Sequence, residues 1–251
     1  MRLTFASVLP LVAVATCQTV YLAGDSTMAK YSDTQQGWGV FFGNYLNIPV
    51  KNLAVGGTSS RSYTESGLFN TLISQVKAGD FVVLEFGHND VSAGAVDNGK
   101  QTAVGDGYDI TATVKTANGS SIVIHSFAYY IENAITAIVD KGATPVISSL
   151  TSTNDWANGK IVTGSRFVDY AKSIGIRKGI VYIDHNGYGG QAFTVLGQSV
   201  TNTMYPNDHL HTNSAGAKVQ AEAFVRGLLC SSSTLKSKVN SAGQAVPNGC
   251  L

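Results

Sequence analysis

Tyr21-Leu22-Ala23-Gly24-Asp25-Ser26-Thr27 is the stretch whose reading decides the fold. Four of the five residues from Thr19 to Ala23 suit a buried strand, and the chain then breaks at Gly-Asp-Ser. These three residues all favour turns, so the stretch alone reads as a strand and a turn. Open α/β sheets, however, keep their chemistry just outside the carboxyl ends of their strands. A serine at such a break is exposed and fixed, which a nucleophile needs. The question is whether the same pattern recurs along the chain.

It recurs twice in the first hundred residues. Val50 to Ala54 reads as a strand and ends at Gly56-Gly57. Phe81 to Phe86 is apolar except for Glu85, as in a strand covered on both faces, and ends at Gly87-His88-Asn89-Asp90. Helices fall between: Trp38 to Leu46 has aromatic and aliphatic residues at helical spacing, and Leu68 to Lys77 follows. Further on, a helix is predicted over His125 to Lys141, a strand over Thr144 to Ser148, and a helix over Arg166 to Ile174. Ile180 to Ile183 is the fifth strand, Gln191 to Leu196 reads as helical, and Asn213 caps a last helix from Ser214 to Leu229. Strands alternating with helices imply an α/β fold, a five-stranded parallel sheet with helices on both faces. Five strands fit a three-layer, flavodoxin-like order. Val91 to Ser121, polar and glycine-rich, reads as a long surface insertion after the third break.

Of 251 residues, 44% are hydrophobic and 13% charged, enough for one large core. A formal net charge of +1 with no basic cluster gives no reason to expect a nucleic acid or an anionic membrane surface as partner. A monomer is expected. Arg2, the apolar run Val8 to Ala15 and small residues up to Cys17 read as a secretory signal over residues 1–17, leaving one domain over 18–251. The apolar run is too short to span a bilayer. Once Cys17 is removed, Cys230 and Cys250 form the one possible disulfide, in keeping with a secreted, extracellular protein. Asn118-Gly119-Ser120 is an N-glycosylation sequon on the insertion.

A serine hydroxyl needs a base, the base needs a carboxylate to orient it, and the oxyanion that develops needs donors. In Tyr205-Pro206-Asn207-Asp208-His209-Leu210-His211-Thr212, Asp208 sits three residues before His211 in a loop. That spacing lets the carboxylate reach one ring nitrogen and leaves the other for Ser26. The Ser26 N–H, the Gly57 N–H and the Asn89 amide are the candidate oxyanion donors. Asp25 reads as a stabiliser of its own turn. The same loop offers Asp208, His209 and His211 as a rival metal set, ranked lower because no further ligand follows and Ser26 would go unexplained. Tyr31, Trp38, Trp156 and Tyr205 are candidates to line a sugar groove, against core burial as the commoner fate of an aromatic. Arg61 and Lys30 are candidates to meet a sugar carboxylate, against solvated charge. His125 and His185 read as structural, and His88 is left without a role.

Gly24-Asp25-Ser26, Gly57, Gly87-x-Asn89-Asp90 and Asp208-x-x-His211 occur in the order of the four blocks of the SGNH (GDSL-like) hydrolases, and the chain resembles that superfamily. Within it, Val20–Lys30, Arg61-Ser62-Tyr63, Ala78–Asp90, Arg166-Phe167-Val168, Tyr182–His185, Pro206–Ala217 and Ala221–Phe224 are similar to the fungal rhamnogalacturonan acetylesterase family. The resemblance implies Ser26 as nucleophile, His211 as base, Asp208 as its orienter, and Ser26, Gly57 and Asn89 as the oxyanion hole. It implies neither metal nor organic cofactor, and a substrate in acetylated pectic polysaccharide. The chain departs from that family in having no cysteine, and so no second disulfide, in the insertion. It also lacks a Gly-x-Ser-x-Gly elbow, unlike ordinary α/β-hydrolase lipases. Alternatives are an esterase on xylan or a small ester and, in another class, a non-catalytic carbohydrate-binding relative.

Overall fold

The computed structural model describes residues 17–91, 94 and 96–251. The leader reading, apart from Cys17, falls outside the described residues.

In chain order the elements are β1 (Val20–Gly24), α1 (Gly39–Phe42), β2 (Val50–Asn52), α2 (Ser60–Glu65), α3 (Leu68–Gln75) and β3 (Phe81–Glu85). They continue with β4 (Thr111–Lys115), β5 (Ser121–His125), α4 (Phe127–Asp140), β6 (Thr144–Ser148), β7 (Trp156–Ala157) and β8 (Lys160–Ile161). The chain closes with α5 (Arg166–Lys178), β9 (Val181–Ile183), α6 (His185–Leu196), α7 (Gln198–Asn202), α8 (Ser214–Cys230) and α9 (Ser241–Gln244). The main sheet has five strands in the order β2-β1-β3-β6-β9, and every pair in it is parallel. This is the doubly wound order expected of a flavodoxin-like fold, with the topological switch beside β1.

Period-two alternation decides which side chains face which helical layer. Tyr21 and Ala23 of β1 with Val82 and Leu84 of β3 face α3, α4 and α5, where Phe69, Leu72, Ile131, Ile135 and Ile174 pack against them. Val20 and Leu22 with Phe81 and Val83 face the other way, onto Trp38, Phe42, Phe224 and Leu228. The apolar run of β3 is thus covered on both sides. Beyond α8, the tail sends Leu235, Val239 and Val246 into this second layer. Asn240 caps α9 and also donates to the Asn44 carbonyl. Cys230, at the end of α8, is bonded to Cys250. Closing a loop of that span stabilises a fold by about 3 kcal/mol.

The structure departs from the sequence reading at several places. The insertion is not irregular throughout: β4 and β5 pair as an antiparallel hairpin, Thr111 opposite His125 and Lys115 opposite Ser121. In β4 and β5 only Val114 and Ile124 are buried, over Ala103, so the alternation is too weak to read from sequence. The helix expected from His125 therefore starts at Phe127, with Ser126 accepting from the Tyr129 N–H as its cap. The helix expected over Gln191 to Leu196 begins earlier, at His185, capped by Asp184 accepting from Gly187 N–H. α2 was not legible as an element. The sequon residue Asn118 sits exposed in the hairpin turn, where its Oδ1 accepts from Ser120 N–H.

Candidate active site

Gly24 and Glu85 lie opposite each other at the carboxyl ends of β1 and β3, and Leu22 pairs with Asn52 at the end of β2. The three breaks that follow these strands are therefore neighbours. Val55 N–H and Thr58 Oγ1 both donate to the Gly24 carbonyl, and Asn89 Nδ2 donates to the Thr58 carbonyl at 3.0 Å. The second break is thereby tied to the first and the third.

Asp25 is buried and builds the turn under Ser26. Its Oδ1 accepts from Thr27 N–H at 2.9 Å and Thr27 Oγ1 at 2.8 Å, and its carbonyl accepts from Met28 and Ala29. Burial pushes its carboxyl pKa up, opposed by nearby His88 and the Thr27 bonds. His88 in turn is held below the ordinary imidazole range by burial, against the pull of Asp25 and Glu85. His88 Nε2 lies 3.0 Å from Thr151 Oγ1.

The loop before α8 approaches from the other side. Gln36 N–H donates to the Thr212 carbonyl and Thr212 Oγ1 donates to the Gln36 carbonyl, a two-point clamp on the residue after His211. His211 Nε2 comes to 2.9 Å from Ser26 Oγ, and His211 Nδ1 to 2.7 Å from Asp208 Oδ2. Asp208 Oδ1 accepts from the backbone N–H groups of Leu210 and His211. Burial alone would raise the Asp208 pKa. The bonds from the His211 ring and these two N–H groups outweigh it and hold the carboxylate below its usual range. With Asp208 ionised, Nδ1 carries the ring proton, and the Nε2 lone pair faces the Ser26 hydroxyl.

Gly57 has a positive φ of 73°, which glycine adopts without strain. Among the described residues, neither the Ser26 N–H nor the Gly57 N–H has a hydrogen-bond partner. Asn89 Nδ2 spends one hydrogen on Thr58 and keeps the second. A Cβ on Gly56 would overlap the Tyr31 hydroxyl, so this glycine lets the Tyr31 side chain, 42% exposed, lie against the break. Asp208 is also part of the wall of a polar cavity of about 370 Å³, with Asn154, Asn202, Tyr205, Asn207 and His209.

Other sequence candidates are placed differently. Trp38 is wholly buried and donates to Glu85 Oε1 at 2.7 Å, and Tyr205 is buried with its hydroxyl on the Ser152 carbonyl. Trp38 lines no groove, whereas Tyr205 forms part of the wall of the cavity at Asp208. Trp156 is half-buried and donates to Asn154 Oδ1 at 2.7 Å. Arg61 is neither solvated nor open to a substrate: it is 3% exposed and pairs with Glu65 and Asp97. A guanidinium cannot shed its charge, so its burial requires such partners. Lys30 is exposed. His125 stacks on Tyr129 at 3.8 Å between ring centres, and His185 is fully buried against Glu85. His209 Nδ1 donates to the Asn154 carbonyl and lies 3.5 Å from Asp155 Oδ1. Among the described residues no three His, Cys, Asp or Glu side chains are grouped to hold a metal ion.

A parallel α/β sheet with a serine, an imidazole and a carboxylate in hydrogen-bonded sequence at its carboxyl edge is the layout of a hydrolase. Comparison with known proteins agrees. Residues 20–224 match the model of the GDSL-like lipase/acylhydrolase family. The chain is 43% identical over 230 residues to a rhamnogalacturonan acetylesterase of Emericella nidulans, covering 91% of each chain. It is 27% identical over 221 residues to a probable rhamnogalacturonan acetylesterase of Bacillus subtilis, covering 83% of this chain and 91% of that one. The solved structure of the YxiM protein of Bacillus subtilis superposes with a TM-score of 0.70 at 24% identity; the match covers 85% of this chain and 56% of that longer one. The chain belongs to the GDSL-like lipase/acylhydrolase family, and it is a carboxylic ester hydrolase.

Proposed function

We propose that the chain is a secreted serine esterase that removes O-acetyl groups from the rhamnogalacturonan backbone of pectin. The observation that carries the mechanism is the unbroken line from Ser26 Oγ through His211 to Asp208, at 2.9 and 2.7 Å. In this reading Ser26 Oγ attacks the acetyl carbonyl carbon while His211 Nε2 takes the hydroxyl proton. The carbonyl oxygen, now carrying the charge, accepts from the N–H groups of Ser26 and Gly57 and from the second Asn89 hydrogen. The tetrahedral adduct collapses, the bond to the sugar oxygen breaks, and His211 returns the proton to that oxygen. Water then repeats the sequence on acetyl-Ser26 and releases acetate.

The similarity to a rhamnogalacturonan acetylesterase and to a probable one supports the substrate. The amide-lined cavity beside Asp208 suits a hydroxyl-rich chain better than a fatty acyl tail. Secretion is supported by the Val8 to Ala15 run and the Cys230–Cys250 bond. Asn118, exposed in its turn, is the proposed glycan site.

The test is acetate release from acetylated rhamnogalacturonan beside acetylated xylan, with the wild type and Ser26→Ala. Release from rhamnogalacturonan is expected, with a loss on the order of 10⁶-fold in a still-folded Ser26→Ala. Release from xylan alone would overturn the substrate. Full activity in Ser26→Ala would overturn the mechanism.

A further inference from the structure

Arg61 drew attention in the sequence as a cation for a sugar carboxylate, but the structure spends it internally. Its Nη1 and Nη2 lie 2.7 and 3.2 Å from the two oxygens of Asp97, and Nη1 also reaches the Gln101 carbonyl at 3.3 Å. What Arg61 holds is the turn from Asp97 to Gln101. Within it, Gly99 N–H donates to Asp97 Oδ1, and Asn98 Oδ1 accepts from both Lys100 N–H and Gln101 N–H at 2.8 Å. The Gln101 side chain is fully buried and accepts from Asn98 N–H. Immediately beyond, Thr102 N–H and Thr102 Oγ1 both donate to the Asp90 carbonyl, next to Asn89. The turn is therefore fixed to α2 on one side and to the break after β3 on the other.

The residue this turn presents is Lys100. It is exposed, and its Nζ lies 3.5 Å from the position a Cβ on Gly57 would occupy. Among the described residues Lys100 Nζ forms no salt bridge and no hydrogen bond. Among the described residues Gly57 N–H is itself unpartnered, and Tyr31 lies against the neighbouring Gly56. A fixed turn thus sets an ammonium group, free of any carboxylate among the described residues, at the rim where the acyl group must sit. An ammonium so placed attracts anionic substrates from a distance and binds their carboxylates at contact.

We propose that Lys100 is the specificity residue that binds the carboxylate of an acetyl-bearing uronate sugar seated against Ser26. The identity of that sugar rests on the function proposed above; the position of the charge does not. Arg61 is then the positioning residue of the turn, one step removed from substrate.

The test uses oligogalacturonate as an inhibitor of 4-nitrophenyl acetate hydrolysis, with a neutral xylo-oligosaccharide as control, at low and high salt. The inhibition constant of oligogalacturonate should rise about tenfold in Lys100→Met, or about 1.4 kcal/mol. Its salt dependence should flatten, Lys100→Arg should restore most of the binding, and the neutral control should not discriminate. Three results would overturn the proposal: no inhibition of the wild type by oligogalacturonate, equal inhibition of wild type and Lys100→Met, or an equal loss for the neutral sugar. A lowered turnover in Lys100→Met with unchanged inhibition would also overturn it, since the ammonium would then act on the oxyanion. Acetate release from rhamnogalacturonan is read separately. Lys100-dependent oligogalacturonate binding without that release would sink the proposed substrate and leave Lys100 standing.

Discussion

The molecule contains two imidazole–carboxylate pairs with the same contact. His211 Nδ1 lies 2.7 Å from Asp208, and His185 Nδ1 lies 2.7 Å from Glu85. What differs is the other ring nitrogen. His185 Nε2 meets the Gln220 carbonyl at 2.9 Å, and a carbonyl can only accept, so that nitrogen must carry hydrogen. It has no lone pair to offer. Glu85 is similarly spent: it also accepts from Trp38 Nε1 and Ser148 Oγ, in a pair shut off from solvent. His211 Nε2 instead faces a hydroxyl at the open edge of the sheet. A histidine bonded to a carboxylate is thus not in itself a base. The partner of the second nitrogen decides.

The sharpest way to test the contrast is at the carboxylates. Asp208→Asn should favour the wrong His211 tautomer and lower kcat by about 10⁴-fold, with little change in melting temperature. Near-normal turnover would remove Asp208 from the proposed chemistry. Glu85→Ala should do the reverse. It strands Trp38 Nε1, Ser148 Oγ and His185 in the core and should lower folding stability by about 3–5 kcal/mol in urea titration. The folded fraction should keep its turnover; a specific loss of chemistry at full stability would break the comparison.

A third carboxylate, Asp90, sharpens it further because it has no imidazole partner. Its Oδ1 accepts from Ser60 N–H at 3.0 Å and from Ser60 Oγ, while Oδ2 has no hydrogen-bond partner among the described residues. Burial pushes its pKa from 3.8 up to about 7, against the Ser60 bonds. Between those values the folded chain keeps a proton that the unfolded chain has lost. Its contribution to stability is therefore full below about pH 4 and lost as pH rises through about 7. Asp90→Asn should flatten the fall of melting temperature across that window. An unchanged slope would show that Asp90 titrates normally.

The parts legible in the sequence were those encoded locally. Val20 to Gly24 and Phe81 to Glu85 announce themselves as apolar runs ended by turn residues, and Asp208 reaches His211 within one turn. The parts that escaped depend on distant residues. Glu85 was visible as the polar exception in a buried strand, but its partners come from the residue before α1, from β6 and from α6. Arg61 escapes because α2 is short and polar and one of its two counter-charges, Asp97, lies in the insertion. Lys100 carried no signal at all: only a turn folded back by Arg61 and Asp90 brings it to Gly57.

The tail has a consequence of a different kind. Residues 231–249 form a segment joined at one end by the main chain to Cys230 and at the other by sulfur to Cys230 again. A protease that cuts one peptide bond within it nicks the polypeptide without releasing the severed piece. Leu235, Val239 and Val246 would remain over the layer they cover, and shedding it would take a reductant as well as a cut.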